Sequence, residues 1–180
     1  MDLKPTLEQR LILINQYKIL EKLCPEDAEM YSQYREILEG GFTLHYDDLL
    51  QMISVDIPEN QLREVLDILD MYRGLYFAVS SRKNMPKYKN KQIYFPGFDG
   101  NEEFVQLKYT LFFIFKLDRY DELKKQNYYG DYNTHCNTLY QYRKMLEKWK
   151  SIPDKSKISD EDLKWLIDNS VYGTFGEKNG

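Results

Sequence analysis

The stretch from Phe104 to Leu117 constrains this chain more than any other part of it. Phe104, Val105, Leu107, Leu111, Phe112, Phe113, Ile114, Phe115 and Leu117 cover almost every face of a helix. A helix that is apolar all round is either central in its domain or half of an oligomer interface. Phe112 to Phe115, in unbroken succession, cannot all hide against one neighbouring helix, and at roughly 25 cal/mol per Å² exposing even two of them forfeits several kcal/mol. The pattern therefore predicts a homo-oligomer, and it makes the helix over about Asn101 to Lys116 the most buried. The densest apolar part, Leu111 to Phe115, lies between Lys108 and Lys116. It is far shorter than the roughly 20 residues of a membrane span, so no membrane segment is expected.

The remaining composition narrows the class. At 180 residues, 42 % hydrophobic and 15 % aromatic, the chain is long enough to bury a core and too apolar to stay disordered. It reads as a mainly α, multihelical single domain over residues 1–169 with a loose tail at 170–180. Twenty-five Lys and Arg against 29 Asp and Glu leave a net charge of -4, which opposes a nucleic-acid-coating role while allowing a local basic patch. Cys24 and Cys136 are too few and too far apart for a C-x-x-C site or a disulfide framework. The opening Met1-Asp2-Leu3-Lys4-Pro5 has no basic segment leading into an apolar one. Both features point to the cytoplasm.

Helical signals run along the chain. Thr6 with Gln9 makes a capping box, and Leu7, Leu11, Ile14 and Tyr17 recur at helical spacing, widened by Ile12, Leu13, Ile19 and Leu20, so this helix is expected to be buried on several sides. Pro25, the acids Glu26 and Asp27, and Gly40-Gly41 frame a second helix. A brief helix is expected near Asp47 to Met52. Pro58 opens a longer one, with Leu62, Val65, Leu66, Leu69 and Tyr72 on one face and Gly74 at its end. Leu75 to Ser80 and Gln92 to Phe95 then read as one small β-hairpin, whose tip carries Arg82, Lys83, Lys87, Lys89 and Lys91. The order short helix, longer helix, hairpin has a winged-helix outline. Pro96-Gly97-Phe98-Asp99-Gly100 is a turn with Asp99 and Glu102 paired as caps, and Lys124 to Thr138 is a long loop. Leu139, Tyr142, Met145, Leu146 and Trp149 mark a further helix, and Ser159 with Asp162 caps a last one carrying Leu163, Leu166 and Ile167.

The segment Gln9-Arg10-Leu11-Ile12-Leu13-Ile14-Asn15-Gln16-Tyr17-Lys18 resembles the opening of the YfbU family of bacterial proteins. The resemblance continues through Asp70-Met71-Tyr72, Gly97-Phe98-Asp99, Arg119-Tyr120, Tyr132-Asn133, Tyr142 with Met145-Leu146 and Trp149, and Ser159 with Leu163 to Ile167, covering roughly Thr6 to Asn169. It implies a multihelical, oligomeric protein of the bacterial cytoplasm and no particular reaction; some members are associated with stress and programmed-death responses. The Lys-rich tip and the tail after Asn169 depart from the family pattern.

Chemistry-bearing residues are sparse. His135-Cys136 is the one pair suited to a thiolate–imidazole nucleophile, although adjacent residues rarely aim at each other. His45 near Asp47 and Asp48 lacks metal-ligand spacing, so no metal and no cofactor are expected. G-x-x-x-x-G-K-[ST], G-x-G-x-x-G and G-x-S-x-G are all absent. Asn15 and Gln16, amides among apolar residues of the first helix, need hydrogen-bond partners in a core or an interface. Asp99 is first a cap and second a site. Arg119, Tyr120 and Asn133 flank the long loop, where they are suited to converge on an anion or a peptide, and His135 is a further candidate for ligand or partner contact.

These features favour a non-catalytic interaction or regulatory module, a homo-oligomer acting on another protein. A nucleic-acid binder using the basic tip is the alternative, with weak, salt-sensitive affinity, because Glu59, Glu64, Asp67 and Asp70 outnumber Arg63 and Arg73 on the would-be recognition helix. An enzyme of unfamiliar type is third.

Overall fold

The computed structural model describes residues 4–51, 53–82, 93–125 and 130–172. They gather into two compact units, Met1–Asp56 and Ile57–Gly180. The division falls inside the stretch 1–169 that sequence analysis treats as one domain, at a point where composition marks no linker. The protein is mainly helical. Among the described residues there is no strand, only an isolated parallel bridge between Phe98 and Asn133, and no helix is long and apolar enough to cross a membrane.

In the first unit, α1 (Leu7–Leu23) starts at the expected capping box: Gln9 N–H donates to the Thr6 hydroxyl and Thr6 N–H to the Gln9 side chain. A 3₁₀ turn at Pro25–Asp27 leads into α2 (Ala28–Gly40), which ends on Gly41 at φ +66°. A glycine is favoured there because the left-handed region crowds any Cβ. The brief helix forms as a 3₁₀ segment, Thr43–Leu50. The core of this unit is small: Leu38, Tyr46 and Leu49 are buried, with Leu13, Ile14, Tyr17, Tyr34 and Ile37 packed against them. The expectation that α1 is buried on several sides is corrected, since none of its residues is buried. Only its Leu13, Ile14 and Tyr17 side meets the rest of the unit, and Asn15 and Gln16 lie exposed on the other.

The second unit is built around α3 (Glu59–Ser80), whose Val65, Ile68, Leu69, Met71, Tyr72 and Leu75 are all buried. This long helix replaces the expected hairpin and removes the winged-helix outline. Leu75, Ala78 and Val79 extend its apolar stripe past Gly74 at helical spacing, and that periodicity prevails over their β propensity. Gly74 is not a helix stop; a Cβ there would run into the Trp149 ring, so the glycine lets that indole approach the helix. Lys83, Lys87, Lys89, Lys91 and the Gln92 end of the hairpin lie outside the described residues.

The apolar run forms α4 (Phe104–Leu111) followed by a π-helical turn, Phe112–Lys116. It is not the most buried helix. Leu107, Thr110 and Ile114 point inward, whereas Phe112 and Phe115 keep 47 % and 45 % of their surface exposed. The physical reason is that nine apolar side chains surround the helix, and the described residues bury only the side that carries Leu107, Thr110 and Ile114. A short α5 (Asp121–Lys124), then α6 (Leu139–Ser151) and α7 (Asp160–Asp168), complete the unit. The Ser159 hydroxyl accepts from Asp162 N–H at the start of α7, as its spacing predicts.

Candidate functional site

Polar groups converge in the second unit where the turn before α4 meets the segment before α6. Phe98 N–H donates to Tyr132 O at 2.9 Å and Thr134 N–H to Phe98 O at 3.1 Å, which ties the two segments together. Gly97 adopts φ +110°, and a Cβ on it would fall on the Tyr132 carbonyl, so only glycine allows the contact. Beneath it, the rings of Tyr72, Phe95, Phe98, Tyr132 and Tyr142 pack edge-on or tilted, with centroids 5.3–5.9 Å apart. Burial pushes the Tyr142 phenol well above its ordinary value, keeping it a donor to Gly97 O at 2.6 Å.

The most consequential group is Glu103, only 1 % exposed. Its Oε1 accepts from Thr138 N–H and Leu139 N–H, both at 2.7 Å. Its Oε2 accepts from the Thr138 hydroxyl at 2.7 Å and from Asp99 N–H at 3.0 Å. The carboxylate therefore sits on the first N–H groups of α6, where the helix dipole favours negative charge. Thr138, the residue that begins α6, supplies no side-chain cap of its own; Glu103 does so from 35 residues away. With four donors on its four lone-pair directions, this buried acid is a clamp rather than a base.

The expected capping pair is corrected accordingly: the partner of Asp99 is Glu103, not Glu102, because the turn takes one more residue before the helix starts. Asp99 Oδ1 accepts from Asn101 N–H at 2.9 Å. Asn133 Oδ1 accepts from Gly100 N–H at 3.0 Å and from His135 N–H at 3.1 Å, so the Asp99 turn, Asn133 and the His135 backbone share one network. The His135 side chain is exposed. The Cys136 carbonyl accepts from the Thr134 hydroxyl.

Tyr120 is built into a second cluster, against α3. Its hydroxyl donates to Asp70, its ring lies 4.6 Å below the Arg73 guanidinium and 5.2 Å from Phe113, and Arg73 pairs with Glu122. Burial, then the hydrogen bond to Asp70, pushes its phenol up to about 12. Arg119 is exposed beside it. Asp118, Tyr120, Tyr132 and His135 all hold positive φ, between 50° and 58°, a sparsely populated conformation that persists only where the surroundings impose it.

Arg82, from the expected basic tip, is engaged internally: it donates to Asp160 at 2.9 Å, to Ala78 O at 2.9 Å and to Ile158 O. Among the described residues no three His, Cys, Asp or Glu side chains gather as a metal ion requires. Sequence reasoning missed Glu103, Thr138 and Tyr142 as members of the network. Their only signal was the Gly97-Phe98-Asp99 turn that they hold.

This chain is similar to known proteins along most of its length. The family model described as YfbU domain matches residues 1–169. The UPF0304 protein MJECS11 of Methanocaldococcus jannaschii is 36 % identical over 147 residues, covering 79 % of this chain and 86 % of that protein.

Proposed function

Starting from the YfbU family, to which this chain belongs, we propose that it is a non-catalytic interaction module of the cytoplasm that works as a homo-oligomer. The observation that carries this reading is the imbalance in the first unit. Leu7, Leu11, Ile12, Ile19 and Leu23 are exposed on one helix, while among the described residues of the unit only Leu38, Tyr46 and Leu49 are buried apolar side chains. A surface of that kind gains most by meeting another protein surface. The polar network adds support of a different sort. Glu103 and the Asn133 carbonyl group, its best-placed acceptors, are occupied by backbone donors and so hold the fold rather than await a substrate.

A regulatory role in stress or cell-death responses is compatible with such a module and belongs to the same proposal. Nucleic-acid affinity, on this reading, is weak and salt-sensitive. On α3, Glu64 and Asp67 are paired with Arg143 and Lys150 and leave an exterior of mixed charge. Analytical ultracentrifugation of the full chain tests the proposal. Association at micromolar concentration is expected; a monomer at all concentrations, or turnover abolished by changing His135 or Cys136, would overturn it.

A further inference from the structure

The exposed side of α1 carries a pattern with its own symmetry. Leu7, Leu11, Asn15, Ile19 and Leu23 are spaced four residues apart along the entire helix, and Asn15 is the midpoint of its 17 residues. The four apolar members are 75 %, 60 %, 57 % and 72 % exposed, and Asn15 is exposed between them. Residues four apart form one of the rows by which neighbouring helices interdigitate. Reversed end to end, this row reads apolar, apolar, amide, apolar, apolar again. It is therefore complementary to a second copy of itself running the opposite way.

The flanking charges obey the same symmetry. Glu8 and Lys22, both exposed, lie seven residues either side of Asn15. In an antiparallel pair centred on Asn15, each Glu8 faces the Lys22 of the other copy, whereas a parallel pair would set like charge against like. An amide side chain can satisfy its own twin, since it offers both donors and an acceptor. At a two-fold axis it meets that twin by necessity, and a single polar residue in an apolar seam fixes register.

We infer that α1 is the seam of a homodimer, in which two copies pack antiparallel with Asn15 on the two-fold axis, Glu8 of each against Lys22 of the other, Leu11 and Ile19 meeting beside it, and Leu7 and Leu23 flanking the seam. This rests on the reading of the chain as a homo-oligomer and names the surface that makes it one. The occupant is a second copy because the face matches itself in shape, in the placement of its amide and in charge.

The test uses charge reversal in the full chain. Glu8→Lys alone places Lys against Lys at both ends of the seam, and Lys22→Glu alone places Glu against Glu. Each variant is expected to self-associate about ten-fold more weakly than the wild type. Mixed together, the two become complementary at both ends. Native mass spectrometry is expected to show heterodimer rising from the statistical half to about nine-tenths of all dimer, less so in high salt. Restoration on mixing also demonstrates that both variants are folded. In a Cys24→Ser, Cys136→Ser background, Asn15→Cys is expected to form a disulfide with its own copy under mild oxidation. A wild-type dimer that is indifferent to both reversals, with a statistical mixture and no cross-link from Asn15→Cys, places the seam elsewhere, for example on Phe112 and Phe115. It overturns this inference while leaving the oligomeric reading intact. A wild-type monomer overturns both.

Discussion

The two units of this protein are both helical, yet they dispose of their apolar side chains in opposite ways. In Ile57–Gly180, α3 is surrounded by α4, α5, α6 and the 3₁₀ turn at Lys155–Lys157. Its apolar face is buried as a result, and the aromatic rings around Gly97 close the core. In Met1–Asp56, α1 has α2 as its main neighbour, and half of its circumference stays open. The contrast teaches that apolar content does not set burial; the number of elements available to cover a helix does. A unit of this size is marginal by itself, because small domains bury a smaller share of their surface. It is held by side-chain contacts to helix ends, as where Arg10 donates to Leu38 O at 2.9 Å and Arg35 to Glu21 at 2.6 Å and Glu39 at 2.8 Å.

The strongest way to break the comparison is to disable the second unit alone. Gly97→Ala places a methyl group on the Tyr132 carbonyl at a φ that only glycine tolerates. It is expected to cost about 4 kcal/mol, read by denaturant unfolding, with amide exchange in α1 and α2 less affected than in α6. Leu38→Ala asks the converse question in the first unit. It is expected to cost about 3 kcal/mol there, whereas Leu11→Ala, on the open side of the same unit, changes the stability of the dissociated monomer by about 0.5 kcal/mol or less. Equal effects at Leu11 and Leu38 would mean that α1 is covered within its own chain.

Glu103→Gln tests whether the second unit depends on its buried clamp. An amide nitrogen must then face a donor at the start of α6, and a loss of about 2 kcal/mol is expected in thermal unfolding, with faster amide exchange at Thr138 and Leu139 reporting the local change. Thr110→Val sharpens the picture from the other side. The Thr110 hydroxyl is buried without a hydrogen-bond partner among the described residues, and a valine of similar shape is expected to stabilise the unit by about 1 kcal/mol.

The smallest effect concerns pH. Hydrogen bonds from Lys148, then from Ser159, hold Asp162 below the usual carboxylate range. Its folded value is depressed, so its contribution is present above the unfolded carboxylate value near pH 4 and fades as pH falls through the folded value. Asp162→Asn is expected to flatten stability against pH only in that acid window, leaving it parallel to the wild type above about pH 5; a difference in slope at neutral pH would assign the effect to another group.

Much of this was legible in the sequence because it is local. The capping box of Thr6 and Gln9, the Ser159 cap, the left-handed Gly41 and the periodic faces of α3, α6 and α7 depend on residues within a turn or two of one another, where spacing alone fixes geometry. The candidate site was half legible for the same reason. Gly97-Phe98-Asp99 announces a turn, but nothing near it announces that Glu103 caps a helix 35 residues away or that Tyr132 lies over Gly97.

The sequence by itself determined that this chain is helical, where most helices begin, and that it carries more apolar surface than one helix can hide. Only the tertiary structure decided which of that surface is covered. Gly74 and Gly97 look alike in sequence as helix stop and turn, and become a seat for Trp149 and a crossing point for Tyr132 once distant segments arrive. Phe112 and Leu11 look like core and remain half open. Periodicity specifies a face, whereas burial requires a partner for that face, and the partner is set by long-range packing that no local pattern encodes.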